Sequence, residues 1–298
     1  MLPLQPPSTV YLNGQFISSD KAMISHEDRG FYFADGVYEV VKYYRGNPFC
    51  FTAHLNRLQN SLEGVRIRYN KLNELRRIFD QLVETNYLKD SFAGIYLQIT
   101  RGAAPRIHCF PDAQVEPTVY ARAFPMKIYR DEMRNGIRVI SREDIRWHRC
   151  NIKSIALLPN TLLFQEATEA GAGECFLVRD GFFTEATHSN ILFIKDGKLQ
   201  THPDSNLILP GVTKGVVFDI CRRIGIGVVE APMKADEAQW VDECFITGTG
   251  GEIMPVIAID GKQIGSGKPG AITRRLQEEF LRITYGELAG EQIVTGDW

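Results

Sequence analysis

Alternating apolar residues predict strands in several parts of the chain. In the stretch "GIYLQIT", Ile95, Leu97 and Ile99 occupy every second position, which is the spacing of a strand with one buried face. The stretches "TVYARAF" and "IRVISR" are predicted as further strands. Dipeptides typical of tight hairpins separate other short apolar runs, at Asn13-Gly14, Asp180-Gly181, Asp196-Gly197 and Asp260-Gly261. Because hairpins pair their strands antiparallel, we expect sheets that are largely antiparallel.

Apolar residues with helical spacing lie between these strands. In "HLNRLQNSLEGVRI", Leu55, Leu58, Leu62 and Val65 fall on one face of a helix. Four other stretches show the same pattern: "KLNELRRIFDQLVETN", "NTLLFQEATEAG", "VTKGVVFDICRRIG" and "GAITRRLQEEFLRI". Strands and helices are therefore mixed along the chain, which predicts an α+β fold rather than a doubly wound parallel sheet.

The chain is long enough for two domains. A boundary near "FPMKIYRDEMRNG", between two predicted strands, divides it into a smaller N-terminal domain, residues 1–128, and a larger C-terminal domain, residues 129–298. The C-terminal domain then contains Lys153.

The composition argues against several classes of protein. Hydrophobic residues make up 44% of the chain and charged residues 23%, as in ordinary globular proteins, and the formal net charge is −2. Lys and Arg are scattered rather than clustered, so no nucleic-acid partner is expected. No apolar run is long enough to span a bilayer, and the first residues lack the pattern of a signal peptide. The six cysteines form no C-x-x-C pair, so we expect no metal site and a reducing, cytoplasmic location.

Three stretches carry groups suited to binding an anion. In "LILPGVTKGVV", a helix start after Pro210-Gly211 and the Thr213 hydroxyl favour a phosphate, although an ordinary turn capped by Thr213 is the alternative. In "FITGTGGEIMP", three glycines permit close backbone approach, but a flexible loop has the same composition. In "ITRGAAPRIHCFPD", Arg106 and His108 point the same way in an extended chain, so they form either a carboxylate-binding pair or an exposed basic loop.

Four other side chains have ordinary interpretations when taken singly. Lys153, in "RCNIKSIALLP", is a lysine at the edge of an apolar segment, since a buried ammonium loses its hydration. Glu185, in "FFTEATHSNILFI", is a loop glutamate unless a cation accompanies it into the interior. Tyr38 presents its phenol either to a ligand or to a core, and Arg57 lies off the apolar stripe of its helix, as a surface arginine does.

Taken together and in this order, these stretches resemble the fold-type IV pyridoxal-phosphate enzymes. The segments that carry the resemblance are "EDRGFYFADGVYEVVK", "YLQITRGAAPRIHCFP", "EDIRWHRCNIKS" and "THPDSNLILPGVTKGVV". It extends from "YLNGQFI" to "AITRRLQEEF", nearly the whole chain, and within the group the D-amino acid aminotransferases are the most similar. The resemblance implies two domains with antiparallel-rich sheets and flanking helices, and an active site between the domains.

The resemblance also implies a role for each of the residues above. Lys153 matches the lysine that forms a Schiff base with pyridoxal 5′-phosphate, and Glu185 matches the acid that holds the pyridine nitrogen. The residues that match contacts to the cofactor phosphate or ring are Arg57, Leu209, Val212, Thr213 and Thr249. Those that match the substrate-carboxylate site of the D-specific enzymes are Tyr38, Arg106 and His108. In those enzymes the Arg/His loop reaches the site of the other subunit, which implies a homodimer.

The implied activity is transamination of a D-amino acid such as D-alanine with 2-oxoglutarate, by ping-pong kinetics through the Lys153 Schiff base. The alternatives within the group are a branched-chain L-amino acid aminotransferase, an (R)-amine transaminase and an aminodeoxychorismate lyase. A non-catalytic binding protein on the same fold is an alternative of another class.

Two departures from the family pattern bear on the choice of substrate. Ala186 and His188 stand where relatives often carry Gly or Ser, and the bulkier His188 is expected to narrow the cofactor cleft. Gly250-Gly251 offers backbone N–H groups to a carboxylate, as the corresponding turn of the branched-chain enzymes does.

Overall fold

The computed structural model describes residues 8–285, which fall into two compact units. The first unit contains the residues up to Lys127 together with Ile152–Ala156, and the second contains Ile128–Asn151 and the residues from Leu157 onward. Both units combine sheets with helices, which confirms the predicted α+β class. Within the described part of the chain, no helix has the length and apolar character needed to cross a membrane.

The first unit is built on a six-stranded sheet whose neighbouring strands are all antiparallel. Its strands are β1 (Thr9–Leu12), β2 (Gln15–Ser18), β3 (Gly36–Tyr44), β4 (Asn47–Pro48), β5 (Phe92–Thr100) and β6 (Thr118–Pro125). They lie in the order β2-β1-β6-β5-β3-β4. The strand predicted from the alternation in "GIYLQIT" is β5, and it pairs along its full length with β3.

The described residues of the first unit form the α-helices α1 (Arg29–Phe33), α2 (Phe51–Val65) and α3 (Leu75–Thr85). α2 and α3 confirm two of the predicted helices, whereas α1 is too short to show a helical spacing of apolar residues. Leu58 and Leu62 of α2 are buried in one core with Phe79 of α3 and Ile95 of the sheet. Burial of side chains of this size stabilises a fold by about 1.5–3 kcal/mol each, so this core holds both helices on the sheet.

The second unit contains a nine-stranded mixed sheet. Its strands are β7 (Ile137–Glu143), β8 (Glu174–Arg179), β9 (Phe182–Ala186), β10 (Asn190–Lys195), β11 (Lys198–Thr201), β12 (Val228–Glu230), β13 (Glu243–Gly248), β14 (Glu252–Ile259) and β15 (Lys262–Gln263). They follow the order β12-β11-β10-β13-β14-β7-β8-β9, with β15 also on β14. Its helices are α4 (Arg130–Asn135), α5 (Leu158–Glu169), α6 (Val212–Ile224) and α7 (Ala271–Tyr285).

Parallel pairing in the second sheet goes beyond what the hairpin pattern predicts. β7 lies parallel to both β8 and β14, and β11 lies parallel to β12. A helix separates two of these pairs in sequence, because α5 follows β7 and α6 follows β11. Such a helical crossover returns the next strand in the same direction, whereas a tight turn reverses it.

All four predicted hairpin turns are confirmed. They join β1 to β2, β8 to β9, β10 to β11 and β14 to β15. In each turn both residues have positive φ, as at Asn13 (46°) and Gly14 (94°). A two-residue turn with positive φ at both positions matches the twist of the two strands that it joins. Asn-Gly and Asp-Gly readily adopt this conformation, so they favour hairpins.

The segment that carries Lys153 lies with the first unit, whereas the sequence predicts it in the C-terminal domain. The cause is backbone pairing with the start of β3. The Tyr38 N–H donates to the Lys153 carbonyl at 2.9 Å, and the Ile155 N–H donates to the Gly36 carbonyl at 3.1 Å. These bonds between residues far apart in sequence leave no signal in the local pattern around Lys153.

Candidate active site

Lys153 is held at its backbone and has its amino group over an aromatic ring. Besides the carbonyl bond from Tyr38, its own N–H donates to the Ser61 hydroxyl at 3.1 Å. The ammonium nitrogen lies 4.2 Å from the centroid of the Tyr38 ring, and that ring stacks on Tyr96 at 5.8 Å. The side chain is half-buried. The structure therefore brings Lys153 and Tyr38, two of the predicted site residues, into direct contact.

Arg57 is buried, which corrects its interpretation as a surface arginine. Its guanidinium donates two hydrogen bonds to the Glu39 carboxylate, at 3.0 and 2.6 Å, and the His54 Nδ1 lies 3.0 Å from the same carboxylate. Burial opposes the charge on Glu39, but Arg57 and His54 outweigh it and hold the pKa of Glu39 well below its usual range. Burial also lowers the pKa of His54. Arg57 is thus fixed in place by a buried anion.

Arg106 and His108 meet at one aromatic side chain. The guanidinium carbon of Arg106 lies 5.3 Å from the centroid of the Phe33 ring, and the His108 ring lies 5.4 Å from it. Both side chains are exposed on the loop between β5 and β6. Their spacing predicts that they point the same way, and their shared contact with Phe33 agrees with that prediction.

In the second unit, Glu185 lies at the end of β9 and is buried. Its carboxylate accepts hydrogen bonds from the Arg146 guanidinium, from the Leu209 N–H at 3.0 Å and from the Asn190 amide at 3.2 Å. Burial raises the pKa of Glu185 above its usual range, against the opposing effects of Arg146 and the Leu209 N–H. Arg146 in turn donates two bonds to Asp144, both at 2.9 Å. Glu185 is thus an oriented interior carboxylate rather than a loop glutamate in water.

The start of α6 lies beside Glu185 and has the features of an anion site. Gly211 is its N-cap residue and provides no side chain to bond the N–H groups of Val212 and Thr213. A Cβ atom on Gly211 would come within 1.8 Å of the Asn190 side-chain oxygen, so only glycine fits. Asn190 also holds the chain before the helix, by donating to the Leu209 carbonyl at 2.9 Å.

A further hydroxyl lies next to Asn190. Thr247 pairs with Asn190 across β13 and β10, and its buried oxygen has no hydrogen-bond partner among the described residues. Two residues later, Thr249 lies half-buried in the turn between β13 and β14. An uncapped helix start, an approach that only glycine permits and an orphaned hydroxyl together fit a phosphate-bearing ligand.

Comparisons with known proteins identify the family of this chain. The family model of amino-transferase class IV matches residues 36–259, well over half of the chain. This chain belongs to the class IV aminotransferases. The D-alanine aminotransferase of Bacillus licheniformis is 41% identical over 94% of this chain and 98% of its own length. That of Staphylococcus haemolyticus is 39% identical over 91% of this chain and 96% of its own.

A related protein of the same fold has been solved with a bound cofactor. The T.th. branched-chain amino acid aminotransferase, solved with pyridoxamine 5′-phosphate, superposes with a TM-score of 0.85 at 26% identity. The match covers 95% of this chain and 96% of that one. The cofactor of this class IV aminotransferase is pyridoxal 5′-phosphate. The uncapped helix start at Gly211 would suit the phosphate of this cofactor, and the buried carboxylate of Glu185 would suit its protonated ring nitrogen.

Of the residues that depart from the family pattern, Ala186 is buried in β9, His188 is exposed, and Gly250-Gly251 lies at a turn. The ring of His188 is 61% exposed; its Nδ1 lies 2.9 Å from the buried Glu174 carboxylate, and its edge meets Phe164 at 5.0 Å. Two of the contacts of the His188 side chain are therefore with Glu174 and Phe164. Gly250 and Gly251 continue the turn that holds Thr249, and a Cβ atom on Gly251 would meet nothing within 4 Å.

Several buried polar residues next to the predicted site residues are not predicted by the sequence patterns. They are the partners that hold the predicted ones: Glu39, His54, Asp144, Arg146 and Asn190. The burial of Glu39 could have been predicted from the sequence, since Glu39 occupies a core-facing position of β3 between Val37 and Val41. A carboxylate in such a row needs a buried cation, and Arg57 is that cation.

Proposed function

We propose that this aminotransferase transfers the amino group of D-amino acids, such as D-alanine, to a 2-oxo acid such as 2-oxoglutarate. The observation that carries the proposal is the 41% identity to a D-alanine aminotransferase over 94% of this chain and 98% of that protein. The donor and the acceptor react in turn with the same enzyme, so ping-pong kinetics are expected.

In this proposal Lys153 carries the cofactor and moves the proton. Bound pyridoxal phosphate supplies an electron sink for the negative charge left on the substrate Cα when its proton departs. Lys153 Nζ takes that proton and delivers it again as the oxo acid forms. The Tyr38 ring, 4.2 Å from Nζ, holds the amino group by a cation–π contact while it is charged.

Glu185 holds a proton on the cofactor's ring nitrogen and so strengthens the electron sink. Arg146 and the Leu209 N–H keep the carboxylate in place, and burial excludes the water that would screen its charge. The proposed contacts to the phosphate and the ring are Arg57, Leu209, Val212, Thr213 and Thr249. A dianionic phosphate suits a helix start and a guanidinium together, because both offer N–H donors and positive charge.

The α-carboxylate of the substrate is bound by Arg106, His108 and Tyr38. Arg106 offers a planar pair of donors that matches a carboxylate, and His108 lies on the same side of the loop. With the carboxylate fixed, only one face of Cα meets Lys153. This is how the proposed site selects one enantiomer.

The proposal is tested with D-alanine and L-leucine as donors and 2-oxoglutarate as acceptor. We expect turnover with D-alanine and conversion of the bound cofactor by that enantiomer alone. Activity with L-leucine only would overturn the proposal in favour of a branched-chain L-aminotransferase. Pyruvate release from aminodeoxychorismate without an amino acceptor would identify a lyase, and a bound cofactor with no half-reaction would identify a binding protein.

We also propose a homodimer in which the loop of Arg106 and His108 serves the partner's site. The loop exposes Ile107 and Phe110, which are 57% and 48% accessible, next to its basic residues. Exposed apolar side chains on a functional loop are suited to burial against a partner. A cytoplasmic location is proposed as well, supported by six cysteines that are all free thiols, and cell fractionation tests it.

Mixed dimers test whether the loop acts in the partner's site. Lys153→Ala and Arg106→Ala proteins, each nearly inactive at low D-alanine, are unfolded and refolded together. Half of the randomly formed dimers then contain one site with both residues intact, so about a quarter of the wild-type activity is expected. If the mixture shows only the average activity of the two separate variants, the loop acts within its own chain.

A further inference from the structure

Helix α1 contacts three consecutive residues of the loop that bears Arg106 and His108. The Arg29 guanidinium donates to the Ile107 carbonyl at 2.6 Å, between the two side chains. The Phe33 ring, one turn further along α1, meets Arg106 at 5.3 Å and His108 at 5.4 Å. The Arg29 guanidinium carbon also lies 4.7 Å from the centroid of that ring.

The half-buried carboxylate of Asp35 holds Arg29 and the base of the loop together. Asp35 accepts from Arg29 at 2.8 Å and from Arg101, at the base of the loop, at 2.8 and 2.9 Å. Arg101 also donates to the Val65 carbonyl at 2.7 Å and the Arg66 carbonyl at 2.9 Å, where α2 ends. The base of the loop, α1 and the end of α2 are therefore joined through one anion.

Backbone contacts bring α1 close to the loop's first residues. The Arg29 N–H donates to the Gly102 carbonyl at 3.0 Å, and Asp28 caps α1 while it accepts from the Thr100 hydroxyl at 2.9 Å. A Cβ atom on Gly30 would lie 2.4 Å from the Thr100 side chain, so the two segments approach as closely as glycine permits. The contacts at Ile107 thus rest on a fixed base.

Phe33 is not packed in the main apolar core of its unit. It is only half-buried and is not part of the core cluster of that unit, whereas its ring meets Arg29, Arg106 and His108. An aromatic face attracts a guanidinium and restricts its rotamers, while the guanidinium edge still offers N–H donors to a ligand. An exposed arginine that is already oriented loses less side-chain entropy when it binds a carboxylate.

We propose that Phe33 and Arg29 are positioning residues for recognition of the substrate α-carboxylate. Phe33 orients the Arg106 and His108 side chains, and Arg29 fixes the backbone between them at Ile107. The inference rests on the proposed role of Arg106 and His108. It adds that residues of helix α1 position these two side chains.

The experiment measures the half-reaction with D-alanine by rapid mixing, for Phe33→Leu, Arg29→Lys and Arg106→Ala proteins loaded with pyridoxal phosphate. Phe33→Leu keeps an apolar side chain but removes the aromatic face, and Arg29→Lys keeps the charge but removes the planar fork. We expect each to weaken the apparent affinity for D-alanine by about 5- to 20-fold, with less than about a threefold change in the limiting rate. Phe31→Leu is the matched control, because Phe31 lies on the same helix with 78% exposure and is expected to change neither constant.

A double-mutant cycle separates positioning from a general structural effect. On the Arg106→Ala background, Phe33→Leu is expected to cause little further loss of affinity, since the side chain that it orients is already gone. Equal losses on both backgrounds, or unchanged affinity in Phe33→Leu, would overturn the inference. Should Arg29→Lys fail to fold, Phe33→Leu alone decides. If Arg106→Ala itself binds D-alanine normally, the proposed carboxylate site is wrong, which is a different result from failure of the positioning role.

Discussion

Replacing Lys153 with alanine is expected to lower kcat for D-alanine transamination by about 10⁴-fold, because the group that moves the Cα proton is removed. The backbone of Lys153 keeps its bonds to Tyr38 and Ser61 in the variant, since these use only main-chain atoms of residue 153. The fold and the binding of the cofactor phosphate are therefore expected to survive. The absorbance band of the lysine-linked cofactor is expected to disappear.

The measurement is the steady-state rate together with the absorbance spectrum of the purified variant. Lys89→Ala is the matched control, since Lys89 is an exposed lysine of the same unit and its loss is expected to leave both signals unchanged. A small primary amine added to Lys153→Ala is expected to restore part of the rate, because it supplies the missing base. Wild-type turnover in Lys153→Ala would show that another group moves the proton.

The elements of the fold that depend on near neighbours were predictable. Asn13-Gly14 and the three Asp-Gly pairs specify positive φ at adjacent residues, which few other dipeptides adopt, so each hairpin is set by its own two residues. The long helices were predictable for a similar reason, since the spacing of Leu55, Leu58 and Leu62 records which face is buried. The parallel pairs of the second sheet depend on partners beyond a helix, and no local pattern specifies them.

The residues that hold the candidate site residues in place could not be predicted from the local sequence, because each pair joins segments that are distant along the chain. Arg146 and Glu185 are 39 residues apart, and Arg57 and Glu39 are 18 apart, yet each pair shares a buried hydrogen bond. Taken singly, a charged residue is expected at the surface, and only its partner offsets the loss of hydration on burial. The resemblance to the family indicated Arg57 and Glu185 because it compares whole chains, but it assigned no role to Glu39 or Arg146.

Glu185→Gln is expected to lower kcat by about 10²- to 10³-fold, a smaller loss than that expected for Lys153→Ala. Glutamine has nearly the same shape and can still accept from the Leu209 N–H, but it has no negative charge to hold a proton on the ring nitrogen. Arg146 keeps its two bonds to Asp144, so its charge stays paired and the free energy of unfolding is expected to fall by only about 1–2 kcal/mol.

The decisive comparison is between the rate and the stability of Glu185→Gln, measured as kcat and as urea unfolding of the holoenzyme. Glu166→Gln is the matched control, since Glu166 pairs with Arg142 while 48% exposed, and its loss is expected to change stability by less than about 1 kcal/mol and kcat not at all. A Glu185→Gln enzyme with normal kcat and lowered stability would assign the carboxylate to the Arg146 network alone. The Arg146–Asp144 pair is intact in the wild-type protein and in Glu185→Gln. A large loss of kcat with a small loss of stability would therefore show that the charge of Glu185 acts on the cofactor.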